Sequence, residues 1–227
     1  MFFHPLDFLI IIAFGLSLWA QFRVKGNFDK YTGVYASSGL TGAEIARNLL
    51  DQNGLYDVPV EHIRGSLTDH YDPMRKTVRL SDSVYGSQSI AAVSVAAHEV
   101  GHAIQHSEAY GALVLRHKMF PIENFTSGIA PFLLLGGFLL GSLNLIGLGI
   151  IFFSAVVAFQ LVTLPVEFNA SSRAKQLMIS EGYITNAEER GVSKVLNAAA
   201  LTYVATALIS LLQLFKFIAI FTQGNRE

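Results

Sequence analysis

Between Asn124 and Val166 the chain carries no charged side chain. Drawn as one helix, that run is roughly 65 Å long, about twice the apolar thickness of a bilayer, so it has to fold back within a membrane. Its middle is interrupted only by GSLNLIG, residues 141 to 147, which places a tight hairpin there and spans near residues 127–141 and 145–165. GGFLLG, at the end of the first of these spans, has the GxxxG spacing that lets helix backbones approach closely.

Two further runs read as spans. Phe8 to Phe22 is uncharged and carries Trp19 near its end, and Val195 to Phe215 is uncharged up to Lys216, whose long stem is expected to snorkel to the headgroups. MFFHPLD has no Lys or Arg, so the first run is expected to be a retained span and not a cleaved signal. Apolar residues make up 52% of the chain and the mean hydropathy is positive, which agrees with a membrane protein. The net charge of −1 argues against a nucleic-acid surface, and with no cysteine there are no disulfides, thiolate ligands or cysteine nucleophile.

Two crossings separate residues 23–123 from 167–194, so both segments lie on one side. All but Lys216 and Arg226 of the 16 Lys and Arg residues fall within them, and Arg23, Lys25 and Lys30 directly follow a span. The positive-inside rule assigns that side to the cytoplasm. The expected organisation is a first transmembrane helix (1–22), a cytoplasmic α+β region (23–123), a transmembrane hairpin (124–166), a second cytoplasmic segment (167–194), and a fourth transmembrane helix with its tail (195–227). The fold class is mainly α with a small β-sheet.

Within the first cytoplasmic region, TGAEIARNLLDQNG predicts a helix with Thr41 as N-cap, Glu44 completing a capping box and Gly54 at its stop. DVPVEHIRGSLTDHYDPMRKTVRLS predicts a small sheet ending in a hairpin, with a turn at Tyr71 to Met74. SQSIAAVSVAAHEVGHAIQHSEAY returns to Ala-rich helix, capped by Ser87 or Ser89.

That helix carries HEVGH. His98 and His102 lie one turn apart and project from one face, while Glu99 stands beside them where it can act as a base. Catalytic zinc takes three protein ligands and an open position, so one ligand must come from elsewhere. His106 lies about 12 Å along the axis from His98, too far to share one ion with it. The extended motif fails, because Gln105 and Glu108 occupy its glycine and final histidine positions. Glu167, directly after the third span, is a carboxylate at the mouth of an apolar segment, and the membrane crossings return it to the side of His98 and His102. It is the expected third ligand, for one Zn²⁺.

AAHEVGHAIQH, LTDHYDPMRKTVRLS and FQLVTLPVEFNASSRA, together with the first span, make the chain similar to the YugP-like neutral zinc metallopeptidases, membrane proteins related to HtpX and the CAAX prenyl protease gluzincins. The resemblance implies a zincin-like, integral-membrane metallopeptidase with four transmembrane helices in a bacterial cell membrane. It implies that His98, His102 and Glu167 bind zinc and that Glu99 is the catalytic base. The family places an acidic residue shortly after the glutamate ligand, where it orients a ligand imidazole; Asn169 and Ser171 stand there in this chain, and an amide oxygen also accepts an imidazole N–H. Arg173 is a candidate donor to the oxyanion, His70 and Tyr71 are turn and sheet residues, and Thr77 to Leu80 would offer a sheet edge to an extended substrate.

The expected substrates are membrane proteins or membrane-associated polypeptides, because Glu167 sits at the bilayer surface. A regulatory membrane partner and the oligomeric state stay open. The alternative is a catalytically weak zinc-binding scaffold or chaperone-like protein, against which Glu99 argues, since a structural site needs no base. A transporter is disfavoured by spans almost free of ionisable residues. The sequons at Asn124 and Asn169 read as coincidence on the cytoplasmic side.

Overall fold

The computed structural model describes residues 5–224; residues 1–4 of the first predicted span and 225–227 of the predicted tail lie outside the described residues. Six helices and a three-stranded sheet follow in the order α1 (Pro5–Thr32), α2 (Gly42–Gln52), β1 (Val60–Ile63), β2 (His70–Asp72), β3 (Thr77–Ser81), α3 (Ile90–Ser107), α4 (Gly111–Leu140), α5 (Leu143–Ser180) and α6 (Asn186–Gly224). The chain is mainly α with a small sheet. α1, α4, α5 and α6 are long and apolar enough to cross a membrane.

The chain divides into two compact units. One consists of Met1–Trp19, Val114–Leu164 and Thr202–Glu227, the other of Ala20–Leu113 and Pro165–Leu201. In the first unit, α4 and α5 form a hairpin whose turn is confined to Gly141 and Ser142, with Gly141 in the left-handed region at φ 63°. Asn144 to Gly147, expected in the turn, instead open α5. The close packing that the Gly-rich run suggested is present: a Cβ on Gly137 would lie 2.8 Å from the backbone nitrogen of Ile146. Phe138 and Phe153 both pack on Phe217. Lys216 forms an ion pair with Asp7, a partner not foreseen in the sequence.

The second unit is built around a core shared by α2, β3, α3, α5 and α6, including Ile45, Leu49, Leu80, Val93, Val100, Ala174, Met178 and Val192. α2 opens with the predicted capping box: Thr41 Oγ1 accepts from the Glu44 amide, and the Glu44 carboxylate accepts from the Thr41 amide at 2.8 Å. Glu44 lies below its ordinary pKa, since the Thr41 amide and hydroxyl both favour the carboxylate. Gly54, at φ 73°, follows the helix end as expected.

The sheet order is β1-β3-β2, with β1 parallel and β2 antiparallel to β3. Tyr71 faces Val78 in register. The hairpin turn begins after Asp72, later than foreseen, and the Asp72 carboxylate accepts from the amides of Met74 and Arg75. One expectation is overturned here: Thr77 to Leu80 is not a free edge. β3 is the central strand, because β1 pairs with it from far along the chain, and the edges are β1 and β2.

Candidate metal centre

α3 begins at Ser89, whose hydroxyl accepts from the Ala92 amide. One side of the helix is almost entirely small and buried, with Ala92, Val93, Ala96, Ala97 and Val100 against the core, so the histidines fall on the side facing α5. α5 answers with a stripe at helical spacing: Glu167, Ala170, Ser171, Ala174 and Met178 are all buried. The two helices meet at Gly101. A Cβ there would come 2.8 Å from the Ala170 carbonyl oxygen, so the glycine inside HEVGH is what permits the close approach.

This crossing brings three side chains together. Glu167 Oε2 lies 3.4 Å from His98 Nε2 and 3.6 Å from His102 Nε2, and one donor atom from each residue falls within 4.8 Å of the others. Bonds of about 2 Å to a tetrahedral ion set neighbouring ligand atoms about 3.3 Å apart, so the trio has the spacing zinc requires. It also has the burial. Side-chain exposure is 14% for His98, 12% for His102 and 5% for Glu167, which suits groups meant to be desolvated only against a cation. Glu99, one position along α3, is itself buried at 8%.

The other nitrogen of each imidazole is held as well. Ser171 Oγ lies 3.2 Å from His98 Nδ1, and Gln105 Oε1 lies 3.0 Å from His102 Nδ1. The Gln105 amide is fully buried and donates its nitrogen to the Val166 carbonyl at 2.8 Å and to Asn169 Oδ1 at 2.9 Å, which fixes its oxygen toward His102. Asn169 thus reaches the centre through Gln105, where the sequence had suggested direct contact with an imidazole. Arg173 donates its Nε to Asn169 Oδ1 at 2.8 Å and pairs with Glu108 at 2.6 Å. Burial disfavours the charged form of His102, but Glu167 and Glu99 outweigh it, and the imidazole sits above its ordinary value.

Gln105's part in the centre and the contact of Tyr71 with His106 are not visible in the sequence. Gln105 had counted only as the residue that breaks an extended motif, although its position three residues after His102 already put it on the same helical side. Tyr71 and His106 had been read as a sheet residue and a polar helix position. In the structure they meet, with the Tyr71 hydroxyl 2.8 Å from His106 Nδ1 and the rings packed edge-on at 5.8 Å. Burial, with Asp72 and Asp57 adding to it, pushes the Tyr71 phenol up to about 12. His70, the first residue of β2, turns its ring back to the Thr68 carbonyl in the preceding loop.

Comparison with known proteins agrees with this geometry. Residues 6–222 match the family model described as "Putative neutral zinc metallopeptidase". The chain is 70% identical, over 97% of its own length and 98% of the relative's, to the "Putative membrane protease YugP" of Bacillus subtilis (strain 168). No solved structure matches. With nearly the whole chain matched and a His-His-Glu trio of zinc-ligand spacing at its centre, the protein belongs to this family of neutral zinc metallopeptidases.

Proposed function

We propose that the chain is a membrane-bound, gluzincin-type endopeptidase that hydrolyses peptide bonds of membrane or membrane-associated polypeptides at the cytoplasmic face. His98, His102 and Glu167 hold one zinc ion, and Glu99 is the general base. The observation that carries this reading is the approach of Glu167 Oε2 to both Nε2 atoms at 3.4 and 3.6 Å, beside a buried Glu99. Zinc at this trio supplies a Lewis acid for the substrate carbonyl and a water of lowered pKa.

The chain's own residues do the rest. Glu99 accepts a proton from the attacking water as the water oxygen bonds to the carbonyl carbon, then delivers that proton to the amine nitrogen as the C–N bond breaks. Ser171 and Gln105 hold the two imidazoles at Nδ1, so that both Nε2 lone pairs converge. Asn169 fixes Gln105, and Arg173 braces Asn169 against Glu108. Cytoplasmic placement is supported by the basic residues that flank the spans and by their absence from the Gly141–Ser142 turn.

The test is to purify the protein in detergent, measure bound zinc, and follow cleavage of an unfolded protein. Wild type carries one zinc and cleaves, whereas Glu99→Gln keeps the zinc and loses cleavage by at least about 10³-fold. Equal activity in the two proteins removes Glu99 from the mechanism. Undiminished zinc in Glu167→Ala removes the third ligand.

A further inference from the structure

Three contacts set the level of α3 against α5. Ser171 lies beside His98, Ala170 meets Gly101, and further along α3 the Gln105 amide reaches the Val166 carbonyl at 2.8 Å. The two helices therefore run antiparallel. The C-terminal end of α3 lies where the uncharged run of α5 finishes, at Val166.

The sheet takes its direction from the same helix. β3 leads through residues 82–89 to the start of α3, whereas Tyr71 of its antiparallel neighbour β2 meets His106 near the other end, at 2.8 Å. The turn between the two strands, Pro73 to Lys76, thus lies on the side of this unit where α5 passes into its apolar run. β1 is parallel to β3, so the loop before β1 opens on that side too, and Asp57 of that loop is close enough to act on the Tyr71 phenol.

This side carries apolar and basic groups together. Met74 is 92% exposed at the turn, and Tyr56, beside Asp57, is 74% exposed. Arg75 and Lys76 follow Met74, both exposed and with side chains that take no partner among the described residues. Lys76 holds φ 50°, a left-handed conformation that glycine adopts freely and a lysine only at a cost, so the turn keeps a cation where glycine would fold more easily. Asp72, at the base of the turn, is bound to Arg79 at 2.6 Å, which leaves Asp57 as the acid facing two cations. A lone exposed apolar side chain is ordinary. An apolar tip flanked by cations, on the side where a helix enters a bilayer, has the composition of an interfacial anchor.

We propose that the β2–β3 turn docks on the surface of the bilayer that the long helices cross, with Met74 entering the headgroup region and Arg75 and Lys76 on the phosphates of anionic lipids. One end of β2 is then tied to the membrane surface. The inference stands apart from the peptidase reading, since it uses neither the metal trio nor Glu99.

Because the chain has no cysteine, Met74→Cys provides a single site for an environment-sensitive fluorophore in the full-length protein. Gln88→Cys, exposed just before the Ser89 cap at the opposite end of α3, is the control. Both proteins go into lipid nanodiscs of phosphatidylcholine with and without phosphatidylglycerol, and quenching by headgroup spin-labelled lipid is measured. The label at position 74 is quenched and shifted to the blue in the anionic discs, and the label at position 88 is neither. Arg75→Gln and Lys76→Asn each lower the docked-to-free ratio by about fivefold, asparagine being tolerated at the left-handed position. Raising the salt concentration weakens quenching in the same direction and carries the test should those variants fail to fold. Equal quenching at positions 74 and 88 overturns the proposal, as does quenching at position 74 that ignores phosphatidylglycerol, salt and the two substitutions. A blue shift at position 74 without quenching by lipid also overturns it, since the turn is then covered by protein, such as a second copy of the chain.

Discussion

Each imidazole of the candidate centre is anchored at one nitrogen and presented at the other, so the anchors are where single residues would tune a metal held at the proposed site. Gln105→Leu removes the acceptor for His102 Nδ1, the side-chain donor to the Val166 carbonyl, and one of the two donors to Asn169 Oδ1, the other being Arg173. Zinc affinity measured against a chelating dye should weaken by about 10- to 100-fold, with Glu99→Gln as the unaffected control. The raised pKa of His102 adds a pH dependence whose sign differs with and without zinc. In chelator-treated protein, the His102 interaction with Glu167 stabilises the fold fully below the unfolded-state value of 6.5 and is lost as pH rises through the higher folded value. Zinc must displace that proton, so loading strengthens with rising pH across the same window. Thermal melts at rising pH above 6.5 should therefore show the zinc-induced shift growing with pH; a shift that stays constant contradicts the assignment.

At the scale of elements, local signals were readable and pairings were not. The capping box at Thr41 and the cap at Ser89 involve residues three apart, which a sequence displays directly. The sheet is different. β3 looked like an edge because its alternation says nothing about neighbours, and only the parallel pairing of Val60 with Val78 shows that it is central. The α3–α5 crossing likewise depends on a residue whose meaning was hidden, since Gly101 occupies an unspecified position of HExxH. Gly101→Ala pushes a methyl to within 2.8 Å of the Ala170 carbonyl and forces the helices apart. We expect a loss of about 1–3 kcal/mol in stability, together with weaker zinc binding, because Glu167 moves with α5. A variant that melts and binds zinc like wild type would show that the crossing has room to spare.

For the molecule as a whole, the chain visits each of its two units more than once, so ends that are distant in sequence meet. Asp7 and Lys216 pair within the first unit at side-chain exposures of 17% and 28%. Lys216→Met should cost about 1–2 kcal/mol in detergent melts, and adding Asp7→Asn should recover part of it, since the loss comes largely from a charge without its partner. Additive losses in the double variant would speak against coupling.

The sequence by itself determined whatever depends on short separations. The helical spacing of HEVGH, the caps and an uncharged run too long for one crossing fixed the element types, the membrane class and two of the three candidate ligands, because periodicity and hydropathy are local properties. It also pointed to Glu167, through the parity of membrane crossings. The tertiary structure alone decided the separation of Glu167 from the two imidazoles, the grip of Ser171 and Gln105, the central place of β3, and the meeting of Tyr71 with His106. Each of these depends on which surfaces pack. Packing is set by close approach at points such as Gly101 and Ala170, whose contact no local pattern records.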